Sequence, residues 1–138
     1  MVTSRFDNYE QILNEWLANF VDENEEGHEL VYRNNAPTLE EIQGHIGDKV
    51  YCVFTLFEGD WGVQTSQPIS LFSYGNQQKV FARKEQLSNV LQNNAVIIEG
   101  QNIRVKLTSG TPFVQDRIDP DENVKGYYIQ ILATIYKV

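Results

Sequence analysis

Along residues 5–20, apolar side chains recur every three or four positions: Phe6, Tyr9, Ile12, Leu13, Trp16, Leu17 and Phe20. That spacing lines one face of an α-helix. Ser4, with Asp7 three residues later, supplies a capping signal at its start. An acidic stretch at 22–29 follows and reads as a loop. The period then shortens. Residues 29–33 (Glu-Leu-Val-Tyr-Arg) predict a short strand, which Asn34-Asn35-Ala36-Pro37 breaks. Thr38-Leu39-Glu40-Glu41 is a second capping pattern, opening a short helix that Gly44 or Gly47 ends.

The clearest strand is 49–58, "KVYCVFTLFE". It is rich in β-branched and aromatic residues on both alternating sides, as a central strand requires. Glu58-Gly59-Asp60-Trp61-Gly62 punctuates it. A second strand runs from Pro68, tolerable as a first residue, to Tyr74. A second helix covers 77–92, with Asn76 as its cap and Val80, Leu87, Val90 and Leu91 on one face. "AVIIEG" and "NIRVKLT" pair as a hairpin around Glu99-Gly100-Gln101-Asn102. In its second arm Ile103, Val105 and Leu107 alternate with Arg104 and Lys106, which should face solvent or a partner. Ser109-Gly110-Thr111-Pro112-Phe113 reads as a turn, and Asp116, Asp119, Asp121 and Glu122 as a carboxylate loop. Tyr127 to Tyr136 is the closing strand, with a more polar and aromatic side made by Tyr128, Gln130, Leu132, Thr134 and Tyr136.

Hairpins and short connections favour an α+β domain over 1–138. Its sheet is mixed and largely antiparallel, and two main helices flank it. A length of 138 residues with 41% hydrophobic content can bury a core without staples. The single cysteine, Cys52, sits among apolar neighbours and reads as a small buried hydrophobe. No apolar run has membrane-spanning length, and residues 1–20, amphipathic and interrupted by charge, do not form a secretory signal.

The net charge of −8 argues against a module that grips nucleic acid. Its distribution is uneven. Residues 1–60 hold 13 acidic and 3 basic side chains, a balance of −10, whereas residues 61–138 hold 6 and 8, a balance of +2. A solvated acidic loop at 22–29 explains part of this. The sharper reading is one acidic face and one neutral to basic face, which could stack copies head to tail.

Catalytic equipment is missing from the pattern. The two histidines, His28 and His45, belong to no nucleophile motif. One cysteine and two histidines do not make a zinc site. Gly59 and Gly62 lack the Lys-Ser/Thr of a phosphate loop. Read as a calcium loop from Asp119, the chain fits at Asp119, Asp121 and Asn123. It fails at Val124, where glycine is needed, and at Gln130, where a bidentate glutamate is needed. Turn chemistry accounts for Asp119-Pro120-Asp121. The expectation is no catalytic residue, no metal and no cofactor.

With these segments in hand, the chain resembles the small proteins of the head–tail junction of long-tailed bacteriophages, the tail-terminator or tail-completion class. The residues that carry the resemblance are the opening amphipathic helix, "LVYRNNAP", "QPISLFSYG" before the helix "NQQKVFARKEQLSNVL", and "IRVKLTSGTPFVQDRIDPDENVKGYYIQILATIYKV" with its basic strand, Thr-Pro-Phe turn, acidic loop and long final strand. They cover most of the chain; the acidic stretch at 22–29 and the short helix at 39–45 fall outside the match. The resemblance implies a non-enzymatic virion protein. It would form a ring, commonly of six copies, that stops tail-tube growth and joins tail to head. The implied partners are other copies, the tail-tube protein and the head-completion or connector protein. DNA would pass through without specific binding, and no membrane is involved. The protein would be made in the host cytoplasm and reside at the virion's head–tail junction. Asp116, Asp119, Asp121 and Glu122 are then candidate interface acids, Arg104, Lys106 and Arg117 their counter-charges, and Trp61 an exposed anchor at the tip of 59–67. A second reading is an acidic inhibitor or immunity-type protein that meets a basic partner through 22–29.

Overall fold

The computed structural model describes residues 5–22, 30–55, 60–92, 94–100, 102–118 and 124–137. Helix α1 (Arg5–Leu17) runs into a 3-10 turn at Ala18–Phe20, then strand β1 (Val31–Arg33). A single helical turn α2 (Leu39–Glu41) widens into a π-turn at Ile42–Ile46, and β2 (Tyr51–Phe54) and β3 (Thr65–Tyr74) follow. Helix α3 (Gln77–Leu91), β4 (Val96–Glu99), β5 (Ile103–Ile118) and β6 (Val124–Lys137) complete the chain. The six strands form one sheet in the order β1-β2-β3-β6-β5-β4. Only β1 and β2 are parallel; all other neighbours are antiparallel. A parallel pair needs a crossover connection, which the α2 segment supplies. The architecture is α+β, as the alternation of periods predicts.

The cross-strand register puts Cys52, Leu71 and Tyr127 in one row, Phe54, Ile69 and Ile129 in the next, and Leu107 opposite Ala133 on the same face. Helices α1 and α3 both cover this inner face. Tyr9, Leu13 and Leu17 of α1 and Val80, Leu87 and Leu91 of α3 are buried against it. Their seven-residue and four-residue spacings keep each set on one stripe. Val90, expected on that stripe, lies at its margin and is exposed. A Cβ on Gly100 would stand 2.3 Å from Ile12 Cδ1, so α1 rests closely on the β4–β5 turn, and a larger residue there would have to displace the tip of the Ile12 side chain.

The caps behave as their chemistry dictates. Asn76 accepts from the Lys79 N–H at 3.1 Å, and Thr38 Oγ1 accepts from the Glu41 N–H at 3.2 Å. Gly47, at φ +64°, closes the π-turn by donating to the Ile42 carbonyl at 2.6 Å, so the stop is Gly47 and not Gly44. Ser4, and the loop at 23–29, lie outside the described residues.

The closing strand starts at Val124, three residues before its expected start, and three further departures from the sequence pattern have a physical cause. β2 ends at Phe54 although the apolar run continues. Phe54 pairs with Ile69, so the next rung would set Thr55 opposite Pro68, which has no N–H to give. β3 begins at Thr65, three residues before Pro68. Proline is tolerated inside this strand because on the β2 side the ladder has already stopped. Finally, 109–113 is not a turn. β5 continues to Ile118, and its pairing with β6 jumps from Ser109↔Ile131 to Val114↔Ile129. The extra residues bulge over Gln130. A Cβ at Gly110 would meet the Gln130 backbone oxygen at 2.9 Å, which is why Ser-Gly-Thr-Pro can be absorbed as a bulge. Asp116 and Arg117 therefore belong to strand backbone, opposite Tyr127 and Gly126, and not to a loop.

Candidate functional site: an uncovered sheet face and a groove beside it

Side chains alternate across a strand, so the register that fixes the helix-covered face also fixes the outer one. On the β4–β5–β6 half of the outer face, Ile97, Lys106 and Thr134 form one rung and Glu99, Arg104 and Tyr136 the next. Ile97 is 58% exposed and Tyr136 39%. Arg104 Nε donates to Glu99 Oε1 at 2.7 Å, with both side chains largely in water. An exposed pair of this kind stabilises by at most about 1 kcal/mol. Lys106, half-buried between Ile97 and Thr134, has no ion-pair partner among the described residues.

Trp61 stands at the same end of the sheet. Its neighbour Gly62, at φ +73°, donates its N–H to the Ile135 carbonyl at 2.8 Å, tacking the turn onto the end of β6. Trp61 is 40% exposed and Val63 54%. Of the residues singled out from the sequence, the structure thus brings Arg104, Lys106 and the Trp61 turn to one end of the sheet. Asp119, Asp121 and Glu122 lie outside the described residues, as do the side chains of Asp116 and Arg117. Ile97 and Tyr136 complete the face. Their alternation with Ile98 and Ile135 was the available signal.

The other half of the outer face is concave. A groove of about 350 Å³ lies over β2, β3 and β6. Its middle rung is Val53–Ser70–Tyr128, and beside it runs Tyr51–Phe72–Gly126. The rings of Tyr32 and Tyr51 meet edge to face at 6.1 Å, and those of Tyr51 and Phe72 are tilted by 34° at 5.6 Å. Phe72 lies over Gly126, where a Cβ would come within 2.4 Å of its Cδ1. Small Ser70, between Val53 and Tyr128, makes the hollow. Asn34 stands at the rim at φ +69° and donates its N–H to the Phe54 carbonyl at 2.7 Å. The sheet end of the α2 connection bounds the same side: burial, then the charge of Glu41, raises the Tyr32 phenol above its ordinary value.

A different polar group lies on the inner face. Tyr9 donates to Gln67 Oε1 at 2.8 Å, and Gln67 Nε2 donates to the Thr55 carbonyl at 2.7 Å. Gln67 is 1% exposed, and burial drives the Tyr9 phenol well above its ordinary value. Cys52 is fully buried and its thiol is pushed up for the same reason. A buried thiol of raised pKa is a poor nucleophile. Among the described residues no group of three or more His, Cys, Asp or Glu side chains could hold a metal, and no helix is long and apolar enough to cross a membrane. His28, and the side chain of His45, lie outside the described residues. Val124 and Gln130, the positions where the calcium pattern fails, are both strand residues of β6.

No protein family, curated protein or solved structure matches the chain.

Proposed function

We propose that this chain is a non-enzymatic structural subunit of a bacteriophage head–tail junction, assembling into a ring that ends tail-tube growth and joins tail to head. The observation that carries the reading is the uncovered β4–β5–β6 face. It sets exposed Ile97 and Tyr136 beside the cations Arg104 and Lys106, in a chain of net charge −8. A cationic face on an acidic subunit suits a head-to-tail contact between different surfaces, the kind that closes into a ring when its rotation permits. The matching acids are those at 116–122. Six such subunits would carry 6 × −8 = −48, so a bore lined by acids would let DNA slide without adhesion. The partners are further copies, the tail-tube protein and the head-side connector, at the virion's head–tail junction.

Light scattering of the purified protein, alone and mixed with tail-tube subunits, tests the proposal. The expected result is a defined multiple of the 15.9 kDa chain mass or a stable co-complex. A chain that stays monomeric in both, or that binds a basic globular partner in a salt-sensitive pair instead, overturns it.

A further inference from the structure

We propose that the outer edge of β4 is a self-association site. It takes the β4 strand of a second copy of this chain, antiparallel, and extends the sheet across a two-fold axis at Ile97. β4 stands last in the strand order and pairs with β5 on one side. The Gly100 N–H donates to the Ile103 carbonyl at 2.8 Å, so these two residues form a hydrogen-bonded pair. Such pairs alternate with non-bonded ones along an antiparallel ladder. Ile98↔Val105 and Val96↔Leu107 are therefore bonded pairs, whereas Ile97 and Glu99 turn their N–H and C=O groups away from β5. Those outward groups make no hydrogen bond with another described residue. The edge is also open to solvent: Ile97 is 58% exposed, and Asn94, Ala95 and Glu99 are exposed beside it.

The composition of the edge decides its occupant. Sheet edges that stay alone are blunted by charge, proline, a bulge or a covering element. β1 is of that kind: three residues closing on Arg33, which Glu10 of α1 holds at 2.6 Å. β4 is Val-Ile-Ile-Glu, and Arg104 already answers its one charge. Unpaired backbone of this kind calls for an extended chain, and its apolar side chains call for an apolar one. β4 itself meets both demands. Centred on Ile97, an antiparallel copy sets Ile97 against Ile97, Val96 against Ile98 and Ala95 against Glu99. Outer side chains then meet outer ones, and no like charges stand directly opposite. Each Ile97 exchanges both of its outward bonds with its twin. A slip of one residue would set inner side chains against outer ones. The two Gly100 turns, and the α1 helices that rest on them, lie about 20 Å apart along the strands at about 3.4 Å per residue, so the helices clear one another. This contact is made by edge backbone, whereas the ring contact is made by face side chains, so the inference goes beyond the ring.

The test is amide hydrogen exchange by NMR on the ¹⁵N-labelled full chain, at about 20 μM and about 1 mM, a range that brackets the affinity of a small contact. The Ile97 and Glu99 amides should exchange about threefold or more slowly in the concentrated sample. Those of Val96 and Ile98, bonded to β5 at both concentrations, should change less. Light scattering should rise toward twice the 15.9 kDa chain mass. A mixture of labelled and unlabelled chains should show an interchain contact between the α-protons of Val96 and Ile98, which pairing centred on Ile97 brings together. Ile97→Pro removes an outward N–H, a change that an edge strand tolerates, and should abolish all of these effects. If that variant fails to fold, the interchain contact in the unsubstituted protein decides alone. Open Ile97 and Glu99 amides at about 1 mM, their protection in a monomer, or association without the Val96–Ile98 contact overturns the proposal. A ring built through the face alone gives association without that contact, and an edge dimer without a ring stops at twice the chain mass, so the two readings fail separately.

Discussion

Gln67 donates its side-chain amide to the Thr55 carbonyl at 2.7 Å, replacing the main-chain donor that Pro68 lacks. One buried side chain thus repairs the edge of a ladder that the proline interrupts. Its own oxygen is satisfied by Tyr9 of α1, so the repair also fastens helix to sheet. Replacing Gln67 by Leu strands the buried Tyr9 hydroxyl, at about 1–3 kcal/mol when left unpaired, and leaves the carbonyl of exposed Thr55 to water. Urea unfolding of Gln67→Leu should show a loss of roughly 1–3 kcal/mol by that reckoning. Tyr9→Phe should lose less, and the double variant less than the sum of the two, because they share one network. Additive losses would mean that the chain of bonds does not act as a unit.

Alkaline pH should weaken the fold in two steps. Cys52 and Tyr9 are both raised by burial above their ordinary values of 9.0 and 10.0. For a group whose pKa is higher in the folded state, the unfolded chain loses its proton first. The stabilisation is complete below the unfolded pKa and is lost as pH rises through and beyond it. Stability should therefore be level to about pH 8 and fall above 9, steepening past 10, with a limiting slope of about 1.4 kcal/mol per pH unit for each group. Cys52→Ala should remove the earlier component and Tyr9→Phe the later one in urea melts taken from pH 8 to 11.

Most of the fold was legible because it rests on periodicity. The stripe Tyr9, Leu13, Leu17 and the alternation Ile129, Ile131, Ala133, Ile135 are each decided by which residues a helix or strand sets on one face. What the pattern misjudged depends on pairs distant in sequence. β2 stops before Thr55 because of Pro68, and Ser109–Phe113 stays in a strand because Gly110 admits Gln130. Neither neighbour is visible from local composition, which at 109–113 is turn chemistry. The candidate interface was legible in part. Arg104 and Lys106 stood out as cations alternating with apolar residues, but nothing local marked Ile97 as the residue beside Lys106. The groove was foreshadowed only by the polar and aromatic side of the last strand, since Ser70 and Tyr128 become neighbours through pairing alone.

Gly126 gives a sharp steric test of that pairing. An added methyl would come within 2.4 Å of Phe72 Cδ1 and 2.6 Å of the Leu71 carbonyl oxygen. The ring can move aside, but the backbone cannot without disturbing the β3–β6 ladder. Gly126→Ala should lower unfolding free energy by about 1–3 kcal/mol, as overpacking does elsewhere. Adding Phe72→Ala should not restore it, because the carbonyl contact remains. Restoration would show that the ring alone sets the requirement for glycine.

The charge of the uncovered face offers the decisive test of assembly, because its residues contribute little to folding. Arg104 is exposed and its bond to Glu99 spans two solvated side chains, so Arg104→Glu should change stability by no more than about 1 kcal/mol. Ile97→Asp touches a side chain already 58% exposed and should be similarly mild. In a head-to-tail ring each change acts on a contact repeated at every subunit, so a small loss per contact multiplies around the assembly. Arg104→Glu with Ile97→Asp should therefore leave the thermal midpoint within a few degrees while shifting light scattering toward monomer. Asp119→Lys with Asp121→Lys should do the same from the opposite partner surface. Mixing the two mutant proteins should then recover association, since the reversed charges face one another again. Recovery on mixing would identify the two surfaces as partners; a mixture that remains monomeric while each mutant folds would separate the 116–122 acids from the Arg104 face.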